Sequence, residues 1–261
     1  RQVVQMLSLR AAVVMLVLLP YFHRQGGLTL FRTQRAGAHV LRAAAMFMSV
    51  LCFFHALRVM PLATVVALGF TAPLFVTALS WPMLGERVGM HRWGAVVLGF
   101  LGTLVIVDPG AIGLAPVAIL PVIAAFGWAF AQVLVRRLAT TESDGTIMIY
   151  LNTLTLIGFA LIIGFYWQPT VPRIYGLCFV LGLFLVTGQW LMLRAVRLAP
   201  VAAITPFQYL ELPLAVAFGW AIWGEWPGAK VFGGAALIVA SGLYLLLHER
   251  LRVRAARRAG T

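Results

Sequence analysis

Two stretches, Leu84–Gly94 (LGERVGMHRWG) and Trp223–Gly233 (WGEWPGAKVFG), carry one skeleton. In each, a Gly-Glu pair ends an apolar run, with further glycines four and nine residues after the first. The two are related by a shift of 139 residues, and the register continues outward from them without a gap. Ala56 meets Ala195, Arg58 meets Arg197, Pro61 meets Pro200, Ala63 meets Ala202 and Trp81 meets Trp220. Small and apolar residues match often by chance in such a chain. Trp, Gly-Glu and Arg-x-x-Pro in one ungapped register do not, so the chain contains an internal repeat.

Composition sets the class in which the repeat operates. Of 261 residues, 62% are hydrophobic and only 10% are charged, whereas soluble domains carry roughly a quarter charged residues. Nine apolar spans can be drawn: Val4–Phe22, Ala38–His55, Leu62–Leu84, Trp93–Val107, Leu114–Leu134, Thr146–Tyr166, Ile174–Leu193, Val201–Trp223 and Val231–Leu247. About 20 residues at helical rise cross the hydrocarbon core, and no segment alternates with the period of a barrel strand. The fold class is therefore an all-α polytopic membrane protein. Its domains are two repeats, residues 1–109 and 110–261, the second with a basic tail. The second repeat has five spans and the first shows four, which predicts a tenth, N-terminal helix in the natural protein.

Five is odd, so consecutive repeats must enter the membrane from opposite sides. The arginines agree. They crowd the first, third, fifth and seventh loops and the tail, while the alternate loops hold only Arg58, Arg173 and Lys230. Positive charge marks the cytoplasmic side, so the repeat is inverted and the C-terminus is cytoplasmic. The net charge of +13 is explained by this topology, and nucleic acid is not an expected partner. Inverted repeats of this kind build secondary transporters, whose equivalent halves exchange roles around a midplane site. In each Gly-Glu joint, glycine suits a helix end and glutamate the positive start of the next helix.

With those residues in hand, the chain resembles the drug/metabolite transporter superfamily, specifically EamA-type ten-helix carriers. The resemblance lies in ALRVMPLATVVALGFTAPLFVTALSWPMLGERVGMHRWGAVVLGFLGTLVIVDPG and AVRLAPVAAITPFQYLELPLAVAFGWAIWGEWPGAKVFGGAALIVASG. It implies an inner-membrane carrier of a small metabolite with both termini cytoplasmic. The run TLFRTQRAGAHVLRAA looks like members described as riboflavin or S-adenosylmethionine uptake carriers, while other members export amino acids. A carrier of a lipid-linked substrate is the alternative with the same alternating logic, and membrane lipids are partners in either case.

Polar groups are costly in hydrocarbon, so the rare ones point to a site. In TPFQYLELP, Thr205, Gln208 and Glu211 stand three apart on one helical face, with Tyr209 beside them and Pro206 and Pro213 bracketing the stripe. Prolines there loosen the backbone, as discontinuous carrier helices do. Glu211 is the carboxylate deepest in a span, a candidate for binding cargo or a coupling proton, with a buried structural acid as the plain alternative. The repeat places Gly69, Phe70, Thr71 and Ala72 opposite, so the site is asymmetric, with Thr71 the polar contribution from the first half. Gln189, with Trp190 beside it, reads as an interhelical hydrogen bond or a substrate contact, while Trp128 and Gln132, four apart, set a stacking surface beside an amide and would suit a heterocycle. Interhelical packing explains them equally. Asn152 and His55, the latter near the outer end of its span, complete the set.

Arg10 and Arg42 lie near span ends and are read as snorkelling to headgroups. Glycines and alanines in GAVVLGFLG and GGAALIVASG suit close helix contact. Cys52 and Cys178 fall in apolar spans without metal-ligand spacing, so no metal or cofactor is expected. Paired aspartates, His-Glu-x-x-His and Gly-x-Ser-x-Gly are all absent from the sequence, which argues against an intramembrane enzyme.

Overall fold

The structure, a computed structural model, describes residues 2–85, 90–107, 115–163, 172–198 and 211–259. Among the described residues there is no strand. The helices are α1 (Gln2–Arg24), α2 (Ala36–Ala56), α3 (Leu62–Gly69), α4 (Ala72–Leu84), α5 (Met90–Val107), α6 (Ala115–Leu138), α7 (Asp144–Ile163), α8 (Pro172–Leu198), α9 (Glu211–Trp223) and α10 (Ala229–Ala259), with a 3-10 turn over Gly27–Phe31. Five stretches are long and apolar enough to cross a membrane: Gln5–Arg24, Ala36–Ala56, Leu62–Leu84, Val117–Leu138 and Asp144–Ile162. Four shorter apolar helices, Trp93–Ile106, Pro172–Gly188, Leu214–Trp223 and Ala229–Tyr244, fall on the remaining expected spans. The chain is a polytopic membrane protein. α10 runs past its apolar stretch into the arginine-rich tail, whose Ala, Leu and Arg are strong helix formers.

The chain forms two compact units. One holds Arg1–Leu51 and Leu134–Leu198, the other Cys52–Val133 and Ala199–Thr261. In the first, α1 packs against both α7 and α8, burying Val14, Leu18, Phe22, Leu30 and Ile149 together. Ser8 donates its hydroxyl proton to the Phe159 carbonyl across 3.4 Å. Its loops are tied by polar groups: Thr33 Oγ1 donates to Glu142 Oε1 at 2.6 Å, and Arg35 Nη1 donates to the Arg137 carbonyl at 3.3 Å.

In the second unit, α5 and α10 form the most extensive helix pair, and the sequence explains why they can approach. A Cβ on Gly102 would stand 2.7 Å from the Gly234 carbonyl oxygen, and one on Gly234 would stand 2.5 Å from the Gly102 carbonyl. The glycine-rich stretches of the two repeats therefore meet each other, backbone on backbone. Around them Val65, Leu68, Phe70, Ala118, Ala215 and Ile238 form a buried core.

The repeat is visible in local geometry. α4 ends at Leu84 and α9 at Trp223, positions related by the 139-residue shift. Each is followed by a left-handed glycine, Gly85 at φ 69° and Gly224 at φ 68°. Their N–H groups close the helices on Trp81 O at 3.1 Å and Trp220 O at 3.0 Å, again equivalent residues. A side chain with a Cβ would be strained in that conformation, which is why both joints use glycine.

The glutamate that follows does something the local reading did not anticipate. Glu225 Oε2 accepts a hydrogen bond from the Leu62 N–H at 3.3 Å. Leu62 opens α3 just after Pro61, so the Gly-Glu of one half caps the Arg-x-x-Pro helix of the other. Its counterpart Glu86 lies outside the described residues. Loss of this cap, Glu225→Ala, is expected to cost about 0.5–2 kcal/mol. Glu225→Gln, which retains an acceptor, should cost less. Thermal unfolding of the two variants beside the parent protein checks both values.

Candidate functional site

Thr71 sits where the first repeat's central span breaks. Pro73 has no N–H to offer the Gly69 carbonyl, and the hydrogen-bond ladder tightens around it. Thr71 N donates to Leu68 O at 3.1 Å, while Leu74 N and Phe75 N both donate to Thr71 O, at 3.0 and 3.1 Å. The span expected to run unbroken from Leu62 to Leu84 is thus two helices, α3 and α4. Thr71 is buried, and its hydroxyl donates to the Leu68 carbonyl at 2.7 Å. That proton is spent on the end of α3, so Thr71 can offer a ligand only its acceptor lone pairs.

α9 packs on α3. Ala215, one turn beyond Glu211, is buried in the same core as Phe70, which places Glu211 within a helical turn of residues that pack on the break. Glu211 opens the described part of α9, and its side chain is exposed rather than enclosed by protein. Thr205, Gln208 and Tyr209, expected to extend its stripe, lie outside the described residues. On α6, Trp128 and Gln132 are both half-buried. The opposite face of α6 carries Phe126 and Phe130, with ring centroids 6.3 Å apart, and Phe126 meets Phe75 of α4 edge-on at 5.5 Å. The four-residue spacing of Phe126 and Phe130 was readable in the sequence, but their partner on α4 was not. His55, at the end of α2, is exposed. Thr71, Trp128, Gln132, Glu211 and His55 all belong to the second unit.

The first unit holds Asn152, Gln189 and Trp190. Asn152 Nδ2 donates to the Met148 carbonyl at 2.9 Å, one turn back on its own helix. Trp190 is 46% exposed on α8, and the side chain of Gln189 lies outside the described part. Arg42 departs from expectation. Instead of snorkelling outward it is 8% exposed, and its Nη1 donates to the Ile147 carbonyl of α7 at 2.8 Å. The face of α2 that carries it is turned toward α7, and nothing in the spacing of a lone arginine near a span end reveals which way that face points.

The model of the EamA-like transporter family matches residues 2–108 and 115–247 of this chain. A riboflavin transporter of Vibrio cholerae serotype O1 is 33% identical over 246 residues, covering 93% of this chain and 82% of that protein. An S-adenosylmethionine uptake transporter of Rickettsia conorii is 28% identical over 235 residues, covering 90% of this chain and 80% of its own length. One solved crystal structure superposes with a TM-score of 0.61 at 21% identity, covering 95% of this chain and 88% of the other, so the fold is shared. The helical architecture, the family match and the relatives agree on a transporter rather than an enzyme: the chain belongs to the EamA-like transporter family.

Proposed function

We propose that the protein is a secondary transporter of the bacterial inner membrane that moves riboflavin or a closely similar heterocyclic metabolite by alternating access. The observation that carries the substrate is the 33% identity to the Vibrio cholerae riboflavin transporter across 93% of the chain. The S-adenosylmethionine transporter, at 28% identity, keeps that metabolite as the second substrate to test. Alternating access is supported by the two repeats, 1–109 and 110–261, whose helix ends at Leu84 and Trp223 coincide after the shift.

The inverted topology gains support from which loops meet. Thr33 and Arg35 of the first loop bond Glu142 and Arg137 around the fifth. His91, at the start of α5, bonds Tyr244 near the basic tail at 2.7 Å. Both contacts join segments that the arginine count assigns to the cytoplasm. Glu225 and Leu62 join two that it assigns to the other side.

In this reading Trp128 stacks on the cargo and Gln132 hydrogen-bonds its edge. Within the second unit Thr71 offers an acceptor, and Glu211 supplies a charge or exchanges a coupling proton. Equilibrium binding of riboflavin to the purified protein, followed by quenching of the flavin's fluorescence, tests the assignment. Saturable binding is expected, weakened about tenfold by Trp128→Ala, the order of one lost stacking contact. Absence of riboflavin binding to folded protein sinks the substrate reading.

A further inference from the structure

Among the described residues, the buried side-chain nitrogens and oxygens that lack a hydrogen-bond partner are His39 Nδ1, His39 Nε2, Arg42 Nε and Thr153 Oγ1. All four belong to one unit, and all lie on two helices, α2 and α7. These helices run parallel in a fixed register. The His39 ring stacks on Tyr150 with centroids 4.4 Å apart and 20° between planes, and Phe47 would meet a Cβ on Gly158 at 3.1 Å. Both pairs are offset by 111 residues, the same offset that separates Thr153 from Arg42 in sequence. His39 and Arg42 are three apart on α2 and so share the face that meets α7.

His39 and Arg42 are almost wholly buried, at 1% and 8% exposed, while Thr153 is half-buried with its hydroxyl oxygen covered. Arg42 is held in place by its Nη1 bond to the Ile147 carbonyl at 2.8 Å, and among the described residues no carboxylate pairs with it. Glu142, in the loop before α7, accepts the Thr33 hydroxyl at 2.6 Å. Buried arginines are ordinarily paired, and an unfilled donor in a low-dielectric interior is costly. The unfilled groups are mostly donors: a guanidinium N–H, at least one imidazole N–H and a hydroxyl. Donors around a fixed positive charge call for an acceptor that bears negative charge, since charge-assisted hydrogen bonds are about twice as strong as neutral ones.

We propose that His39, Arg42 and Thr153 form an oxyanion-binding site between α2 and α7, taking a carboxylate or phosphate group. The site lies within two turns of the start of α2 and uses no residue of the stripe that includes Glu211. It does not rest on the riboflavin reading, because riboflavin carries no oxyanion.

The test uses the purified full chain in detergent, with inorganic phosphate and, separately, acetate titrated at ionic strength held constant with sodium chloride. The unfolding midpoint should rise saturably in the parent protein, as it must when a ligand binds the folded state alone. In Arg42→Gln the titration should move at least tenfold to higher anion concentration. In Thr153→Val, which keeps the charge, it should move by less, and that variant carries the test if Arg42→Gln does not fold. No anion-dependent rise in the parent, or identical titrations in parent and variants, would overturn the site and leave Arg42 a structural residue. Riboflavin 5′-phosphate and riboflavin, added at equal concentration, separate the two sources of the oxyanion. A rise given by the phosphate ester and lost in Arg42→Gln places the group on the cargo. A rise given by inorganic phosphate alone makes it a free ion.

Discussion

Glu211→Gln is expected to reduce saturable uptake to background while leaving insertion, yield and unfolding midpoint unchanged. The residue stands on α9, a helix otherwise built of Leu, Ala, Val, Ile, Phe and Trp with one Pro and one Gly, and its side chain is exposed rather than buried against protein. A charge presented to lipid at mid-depth costs about 2.5–3.5 kcal/mol even on the mildest scale. The role proposed for Glu211 gives its carboxylate an aqueous path and a group that meets it. The amide has nearly the same size and still accepts a hydrogen bond, so packing is preserved while charge and exchangeable proton are lost. A charge-assisted bond to cargo is worth about 1.5–3 kcal/mol, or roughly ten- to more than a hundredfold in affinity. Uptake measured in parent and variant vesicles, with and without a pH gradient, decides the matter. Parent-like uptake in the variant under both conditions would remove Glu211 from the mechanism.

The second large effect is structural. Gly102→Leu should prevent α5 and α10 from closing, because the first added atom already stands 2.7 Å from a backbone oxygen of Gly234. A flexible side chain could swing away from such an intrusion. A helix backbone cannot, so the pair must separate and expose the core that includes Ile106, Ala235 and Ile238. Overpacking costs about 1–3 kcal/mol where neighbours can shift, and more is expected here. Gly102→Ala should fall between parent and Gly102→Leu. Gly233 provides the control: it lies one residue from Gly234, yet a Cβ there meets nothing within 4 Å, so Gly233→Leu should leave the midpoint nearly unchanged. Unfolding midpoints of the variants in one detergent give the comparison, and equal effects at Gly102 and Gly233 would contradict the packing described.

The contrast between Gly233 and Gly234 shows where sequence reasoning stops. The spans and the glycine-ended joints were legible because each depends on residues close together in the chain, and the 139-residue register because it compares two stretches of sequence and needs no contact between them. Apolar length makes a span, and a left-handed residue makes a glycine. The break at Thr71 was half legible. Pro73 was in view, yet whether a proline kinks a helix or divides it depends on how the neighbouring carbonyls are satisfied. What Glu225 caps was not legible at all, because its partner Leu62 lies 163 residues away and the local rule offered the following helix instead. Arg42 failed for a related reason. Near a span end, a long cationic side chain can reach headgroups or turn inward, and only the packing of α2 on α7 decides. Of the candidate site, the residues on α6 and α9 were found from polarity and spacing. The buried His39 was not legible, because a lone histidine near a helix start carries no signal of its own.

The most direct test of the central claim is flux. Sealed proteoliposomes containing the full-length protein should accumulate riboflavin saturably, beyond protein-free vesicles, with S-adenosylmethionine offered in parallel. Accumulation of either, lost in Glu211→Gln, is the predicted result and establishes carriage of a small metabolite. No flux of either compound from folded, correctly inserted protein, with or without a pH gradient, would contradict it.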